Sequence, residues 1–213
     1  MSRVRFQIAV SLDGFVAGPN QGPENPIGEG GLRLHEWVFP LASWNAMQGL
    51  PGGERNASNS VIEEAHAGVG ATVMGRNMFG GQPGPWSTNP PWNGWWGPNP
   101  PYHHPVFVIT HHAREPLVCE GGTTFHFVTD GIASALAQAR RAAGALDVLV
   151  AGGASVARQY LAAGVVDEML LHQVPILLGR GERIFEGATD LHGLALIDTI
   201  AAPSVTHFKF ARG

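Results

Sequence analysis

The chain has 213 residues, of which 44% are hydrophobic and only 14% charged, with 29 glycines, 16 prolines and a formal net charge of −4. This is a globular composition, large enough for one domain with a substantial core and unlike that of a disordered or fibrous chain. The acidic balance argues against non-specific nucleic-acid binding, which needs a basic footprint, and no apolar run approaches the roughly 18 residues of a membrane span.

The opening MSRVRFQIAV passes from two arginines directly into an alternating run. It lacks the apolar segment and cleavage site of a secretory signal, so a cytoplasmic protein is expected. Cys119 is the single cysteine, which excludes an internal disulfide. Phe6, Ile8 and Val10 alternate with polar or small residues as far as Asp13-Gly14, predicting a first strand over 5–13 and then a turn. Residues 17–31 read as a long loop. Leu34, Trp37, Val38 and Leu41 recur at helical spacing, with Pro40 limiting the regularity of that helix.

A second loop covers 49–59. Ser60-Val61-Ile62-Glu63 has the form of a capping box, predicting a short helix from there to His66. Ala71 to Met74 reads as a buried strand that opens onto Gly75-Arg76-Asn77. Between 80 and 105 lie eight prolines and four tryptophans, a composition that excludes regular structure and marks a functional loop. Strands are predicted at 106–110 and 125–128, then an alanine-rich helix over 131–143 capped by Asp130. A strand over 147–151, a helix over 154–163, a long strand over 168–178 and a last strand over 205–210 complete the pattern. Strands alternating with helices imply a largely parallel sheet, whose ligands sit at the carboxyl ends of its strands.

Four such ends carry small residues, donors or cations: residues 11–18, Gly75-Arg76-Asn77, Thr110-His111-His112 with Arg114, and Gly152-Gly153-Ala154-Ser155. At Gly152-Gly153 either a tight strand-to-helix turn is required, or backbone N–H groups approach a phosphate at a helix start. Arg76 reads either as a fork for a phosphate or as a surface ion-pair partner, and His111 with Arg114 as a second phosphate contact or a solvated loop. No metal site is expected. The pairs His103-His104 and His111-His112 send adjacent side chains to opposite faces, and His35-Glu36 begins HExxH but has Phe39 at the second histidine position.

In chain order, AVSLDGFVAG (9–18), TVMGRNMF (72–79), VFVITHH (106–112), VLVAGGASVARQYL (148–161) and VDEMLLHQVPILLGRGERIF (166–185) make the sequence resemble the dihydrofolate reductase superfamily. Within it, the resemblance is to the reductase domain of the bifunctional riboflavin-biosynthesis deaminase-reductase. It implies one three-layer α/β domain over 1–213, with a central mixed, mostly parallel sheet, an antiparallel C-terminal strand and helices on both faces. The implied activity is NADPH-dependent hydride transfer to a C=N or C=O of a small heterocycle, pteridine-like or a riboflavin precursor such as 5-amino-6-(5-phosphoribosylamino)uracil. A homodimer is also implied, with no nucleic-acid or membrane partner.

By the same resemblance Gly75, Arg76 and Asn77 hold cofactor phosphates, and Thr110 and His111 lie near the adenosine 2′-phosphate, within reach of Arg114. Ala151, Gly152, Gly153, Ala154, Ser155 and Val156 cradle the pyrophosphate, while Val10, Ser11 and Gly18 line the nicotinamide. Asp13, Glu36 and His172 are the candidate proton donors, His172 reading equally well as a core histidine. Trp37, Trp86 and Trp96 form either a stacking wall for substrate or the packing of a long loop. The chain departs from the riboflavin branch at Gln7, where a lysine is usual, and in the Pro/Trp segment, where that branch has an Asp-Pro-x-Leu-Thr type of sequence. Two other readings are a dinucleotide-binding module without catalysis and a partner-binding protein that uses the Trp-rich segment.

Overall fold

A computed structural model describes residues 2–81 and 83–213. Its strands are β1 (Val4–Ser11), β2 (Phe15–Ala17), β3 (Val69–Gly75), β4 (Pro105–Ile109), β5 (Leu117–Val118), β6 (Thr124–Val128), β7 (Asp147–Gly152), β8 (Glu168–Val174), β9 (Glu182–Arg183), β10 (Leu194–Ala202) and β11 (Val205–Arg212). The helices are α1 (Ala42–Met47), α2 (Ala57–His66), α3 (Arg76–Phe79), α4 (Gly131–Ala143) and α5 (Ala154–Ala162). Nine strands form one sheet in the order β10-β11-β8-β1-β7-β3-β4-β6-β5, and β2 pairs with β9 apart from it.

Pairing from β8 through β1, β7, β3 and β4 to β6 is parallel throughout, so these six strands end at one edge. Antiparallel strands flank that block, β11 and β10 on one side and β5 on the other. The expected mixed, mostly parallel sheet is therefore present, and its antiparallel C-terminus is a hairpin of two strands rather than one. β10 escapes a sequence reading because Ala195 to Thr199 are all exposed, which leaves no alternation to detect.

Alternation on the other strands sorts the core into two faces. Val4, Phe6 and Val10 of β1, Ala71 and Val73 of β3, Phe107 of β4 and Val148 and Val150 of β7 share one cluster with α4 and α5. On the opposite face, Ala9, Val174 and Val205 meet Ile62 of α2 and the 34–41 segment. The rest of that face has no long helix over it. Met74, Val106, Val108 and Phe125 are covered instead by Phe79, Trp86, Trp92, Trp96 and Tyr102. The Pro/Trp segment thus stands in for a helix as a covering layer.

Several boundaries move for local reasons. α2 starts at Ala57, three residues ahead of the predicted capping box, because the Asn56 side chain accepts from the Asn59 N–H at 3.1 Å and fills the N-cap role first. Asp130 occupies the N-cap position of α4 but makes no side-chain capping bond. Leu34, Trp37, Val38 and Leu41 are all buried as their spacing predicts. They are carried by a 3-10 turn over Gly31–Leu34 and successive i to i+3 bonds, not by an α-helix. β8 stops at Val174 because Pro175 has no N–H for the ladder.

Phe125 is fully buried, with its ring 5.1 Å from Phe79, 5.9 Å from Trp96 and 6.0 Å from Tyr102. Phe125→Ala is expected to lower the unfolding free energy by about 3–5 kcal/mol in urea titrations, because it empties the centre of the layer that the Trp-rich segment closes.

Candidate functional site

The carboxyl ends of β1, β7, β3 and β4 lie side by side, and the segments predicted from the sequence follow each of them. At β7 the chain turns through Gly152, with φ at 117°, and a cis peptide to Gly153 before α5 begins. Gly153 caps α5 without a side-chain hydrogen bond, so the first-turn N–H groups remain as donors at the positive end of the helix dipole. A Cβ built on Gly153 meets nothing within 4 Å, so the space in front of it is open. On the adjacent strand a Cβ on Gly75 would lie 2.9 Å from Val156 Cγ2 and 3.6 Å from the Gly153 nitrogen. Gly75, Gly152, Gly153, Ala154 and Val156 therefore form one contiguous backbone surface. Ala151 is half-buried beside it, and Ser155 and Asn77 are exposed at its rim.

Arg76 begins α3, and its Cζ lies 3.2 Å from the centroid of the Trp86 ring. Burial, and then the nearby charge of Arg114, pushes its pKa down to about 10, which leaves it a cation at neutral pH. The Trp86 indole N–H donates to the His112 carbonyl at 2.7 Å. Arg114 is committed to the segment itself, donating to the Trp92 carbonyl and, at 2.7 Å, to Asn93 Oδ1. Thr110 is buried, and its hydroxyl accepts from the His112 N–H at 3.2 Å, which shapes the turn. Beyond it opens a groove of about 600 Å³, lined by Trp86, Ser87, Thr88, His111, His112 and Arg114 among others, with no carboxylate in its lining. A guanidinium, two imidazoles and two hydroxyls along a groove without a carboxylate suit an anion.

At the end of β1 the side chains are spent on a turn. Ser11 is fully buried, donating to Asp13 Oδ1 at 2.5 Å and accepting from the Phe15 N–H at 2.9 Å. Asp13 also accepts from the Leu178 N–H at 3.2 Å and the Gly179 N–H at 2.7 Å. The Ser11 hydroxyl and these N–H donors bring its pKa down to about 2. A carboxylate held ionised in this way clasps the 175–181 turn and does not serve as a proton donor. Val10 points into the core, and Gly18 is packed so tightly on the crossing chain that a Cβ there would lie 2.0 Å from the Glu29 carbonyl oxygen.

The remaining candidates fall outside the strand-end surface. His172 is buried opposite His207 of β11, with 2.7 Å between their Nδ1 atoms, and His207 Nε2 lies 2.9 Å from Ser58 Oγ. Trp37 covers both imidazoles at 4.8 and 5.2 Å and donates to the Leu34 carbonyl at 2.9 Å. His172 and Trp37 are thus core residues on the α2 face, and Glu36 is exposed. Trp96 stacks on Phe125 inside the covering layer and is not a wall for substrate. Of the three tryptophans singled out from the sequence, Trp86 alone lines the groove. The missed elements are the Trp86 stack and the Arg114 strut, for which a run of prolines and tryptophans gives no positional signal. Among the described residues no group of three or more His, Cys, Asp or Glu is placed to hold a metal, and no helix is long and apolar enough to cross a membrane.

A mostly parallel sheet of this order, with helices on its faces and a glycine-lined helix start at the shared strand-end edge, defines an α/β protein. The family model described as the RibD C-terminal domain matches residues 2–207, and the chain belongs to that family. A comparison with curated proteins returns no match. Among solved structures, a Shewanella sp. PV-4 protein whose name assigns it provisionally to riboflavin biosynthesis is similar over 100% of this chain and 99% of its own, with 23% identity and a TM-score of 0.60. The Thermotoga maritima diaminohydroxyphosphoribosylaminopyrimidine deaminase/5-amino-6-(5-phosphoribosylamino)uracil reductase matches over 100% of this chain with 14% identity and a TM-score of 0.57. Acinetobacter baumannii RibD (form 1) matches over 99% with 16% identity and a TM-score of 0.55. The chain spans 57% and 58% of those last two proteins.

The buried histidine pair carries a pH dependence. Burial and the neighbouring His207 hold His172 well below its ordinary value of 6.5, and burial with the charge of Lys209 brings His207 down to about 4. Both are bases that bind protons more weakly in the fold than in the unfolded chain, so the unfolded state takes up protons first as pH falls. The stabilising contribution of His207 is complete above pH 7 and is withdrawn between the unfolded value of 6.5 and about 4, and that of His172 is withdrawn in the same direction as pH falls below 6.5. Urea titrations are expected to show a loss of about 1–3 kcal/mol between pH 7 and 4.5. His207→Gln should reduce that slope, and an unchanged slope would remove the pair as its source.

Proposed function

We propose that this chain is an NADPH-dependent reductase of the RibD C-terminal type, a single domain that acts on a small heterocycle with a C=N or C=O to be reduced. The reading is carried by the open backbone surface at Gly152, Gly153 and the α5 N-terminus, set against Gly75 and one strand away from Arg76. A diphosphate fits that surface. It needs donors without side chains in its path, which the glycines leave clear, and positive potential, which the uncapped helix start supplies. When bound, NADPH supplies the hydride, and the protein supplies placement. Ala154, Ser155 and Val156 offer N–H donors to the pyrophosphate, and where the adenosine end would lie Arg76 offers positive charge and His111 an imidazole for hydrogen bonding. An aminouracil substrate, as in the name of the Thermotoga relative, is the first to try.

A second reading, a dinucleotide-binding module without turnover, is favoured by one observation. Asp13 is held ionised and His172 is locked against His207, so neither stands ready to protonate a substrate. The two readings separate in one assay, in which NADPH is titrated by fluorescence and its oxidation is then followed by absorbance with aminouracil, pterin and quinone acceptors. Oxidation with any acceptor supports the reductase, and binding without oxidation selects the module.

Gly153→Val introduces a branched side chain into the open space of the cradle. It is expected to fold, as judged by an unchanged circular dichroism spectrum, and to weaken NADPH by about 100-fold or more. Retained affinity would remove the cradle from the cofactor site. Arg76→Ala is expected to weaken NADPH by about 10-fold while NADH changes little, because a charge-assisted contact to one phosphate is lost; equal losses would place Arg76 elsewhere.

A further inference from the structure

We propose that Met78 is an oxidant-sensitive residue of the strand-end cradle: a hydroperoxide converts its thioether to a sulfoxide, whose oxygen then takes the N–H donors at the start of α5 that a diphosphate would use. This rests on the cofactor reading above and adds a modification that withdraws the site from its ligand. The placement comes from two glycines and one helix. A Cβ built on Gly152 would meet Met78 Sδ at 3.8 Å, while a Cβ on Gly153 meets nothing within 4 Å. Met78 is carried there by α3, which starts directly after β3, and it packs together with Ala151 against the cluster of Met74, Phe79 and Val108. Its sulfur therefore lies at the wall of the cradle, beside open space.

Access separates this methionine from its neighbours in the core. Met74 and Met169 are 0% and 1% exposed and closed to a solute, whereas Met78 and Met47 are half-buried. Met47 lies on α1, which packs against α2, so it reports ordinary reactivity away from the cradle. In the reaction a sulfur lone pair attacks the terminal oxygen of the hydroperoxide. An S–O bond forms as the O–O bond breaks, the sulfur gives up two electrons, and the leaving oxygen takes the hydroxyl proton and departs as water or an alcohol.

A thioether is a weak acceptor and leaves the α5 donors to a ligand. A sulfoxide oxygen is polar, and the first turn of α5 has no side-chain cap to compete with it. The positive helix end and free N–H groups that favour a diphosphate favour that oxygen for the same reason. Because the methionine side chain is unbranched and flexible and borders open space, the oxygen has room to turn towards the donors while α3 stays in place.

The test treats the protein with hydrogen peroxide, maps oxidised methionines by peptide mass spectrometry, and measures NADPH dissociation constants by fluorescence titration before and after. Met78 and Met47 are expected to oxidise while Met74 and Met169 resist. NADPH added beforehand should slow the oxidation of Met78 several-fold and leave that of Met47 unchanged. Oxidised protein should bind NADPH about 10-fold more weakly, the strength of one charge-assisted hydrogen bond, and methionine sulfoxide reductase should restore it. Met78→Leu keeps the volume without the sulfur, so peroxide should change its NADPH affinity by less than about 2-fold, whatever the starting value. Met78→Gln puts an amide oxygen near the sulfoxide position, and should weaken NADPH without peroxide while the circular dichroism spectrum stays unchanged.

A Met78 that resists peroxide as Met74 does, or that oxidises while NADPH affinity stays intact, would overturn the proposal and keep the cofactor reading. So would a Met78→Leu protein that loses as much affinity on peroxide treatment as the wild type, since another residue would then be the sensitive one. Equal protection of Met78 and Met47 by NADPH would remove Met78 from the cradle wall. Unoxidised protein that binds no dinucleotide would refute both the proposal and the reading on which it rests.

Discussion

The contact between Gly75 and the start of α5 sets the geometry on which the rest of the site depends. With 2.9 Å between a hypothetical Cβ on Gly75 and Val156 Cγ2, the end of β3 and the first turn of α5 have no room for a larger residue between them. That closeness is available because β7 and β3 are parallel neighbours ending at the same edge. The first turn of α5, as it leaves β7, packs against the end of β3, and only a strand end without a side chain lets it settle there. The donors at the helix start are thereby brought beside Arg76, the next residue along the chain. A bulkier residue at position 75 would not merely crowd a ligand. It would push α5 away from the sheet and separate the uncapped N–H groups from the Arg76 side chain.

On the opposite face the sheet needed covering, and the chain met that need with side chains more than with backbone regularity. Aromatic rings bury large areas without requiring a helix to carry them, and tilted or edge-on pairs such as Phe79 with Trp86 and Trp92 with Trp95 lock a proline-rich path in place. The indole N–H groups find carbonyl acceptors, Trp92 on Phe79 and Trp86 on His112, so burial leaves neither donor unpaired. This layer also brings new groups to the groove. Because the segment crosses from α3 to β4, its packing residues and its groove-lining residues belong to one stretch, and stability and the shape of the groove are coupled within it.

How much of this the sequence discloses depends on whether backbone or side-chain contacts do the work. The parallel core was legible because β1, β3, β4 and β7 are apolar runs that each end in small or turn-forming residues. The order of their ends, from Ser11 through Gly75 and Thr110 to Gly152, mapped onto one edge. The burial of Leu34, Trp37, Val38 and Leu41 was also readable, although the helix inferred from their spacing was not: a series of 3-10 turns presents the same face, and Pro40 favours it. β10 was invisible since exposed edge residues show no alternation, and the antiparallel pairing that makes it a strand is a long-range event. Trp37, Trp86 and Trp96 could not be told apart, because identical side chains were assigned by tertiary contacts to a histidine pair, an arginine and a phenylalanine.

Asp13 shows why the glycine-lined strand ends were easier to read than the loops beside β1. The cradle is built from backbone groups, and backbone approach leaves a record in glycine positions whatever packs around it. The end of β1 is shaped by loops, and there a carboxylate has no role until its partners are known. In the sequence Asp13 follows a serine by two positions at a strand end, a fair setting for an acid. In the fold the same serine donates to it, two N–H groups of the 175–181 turn complete its acceptors, and the Asp13 carbonyl in turn accepts from Arg183 at 2.8 Å. Glu29 binds Arg180 at 3.1 Å and Asn20 at 2.7 Å, so the 18–31 loop is tied to the same turn. The bonds from Ser11, Leu178 and Gly179 favour the ionised acid, so the chemistry that would make Asp13 a proton donor is what the clasp removes. Its carboxylate instead ties together the two loops that flank the end of β1, and so sets the shape of the space between them.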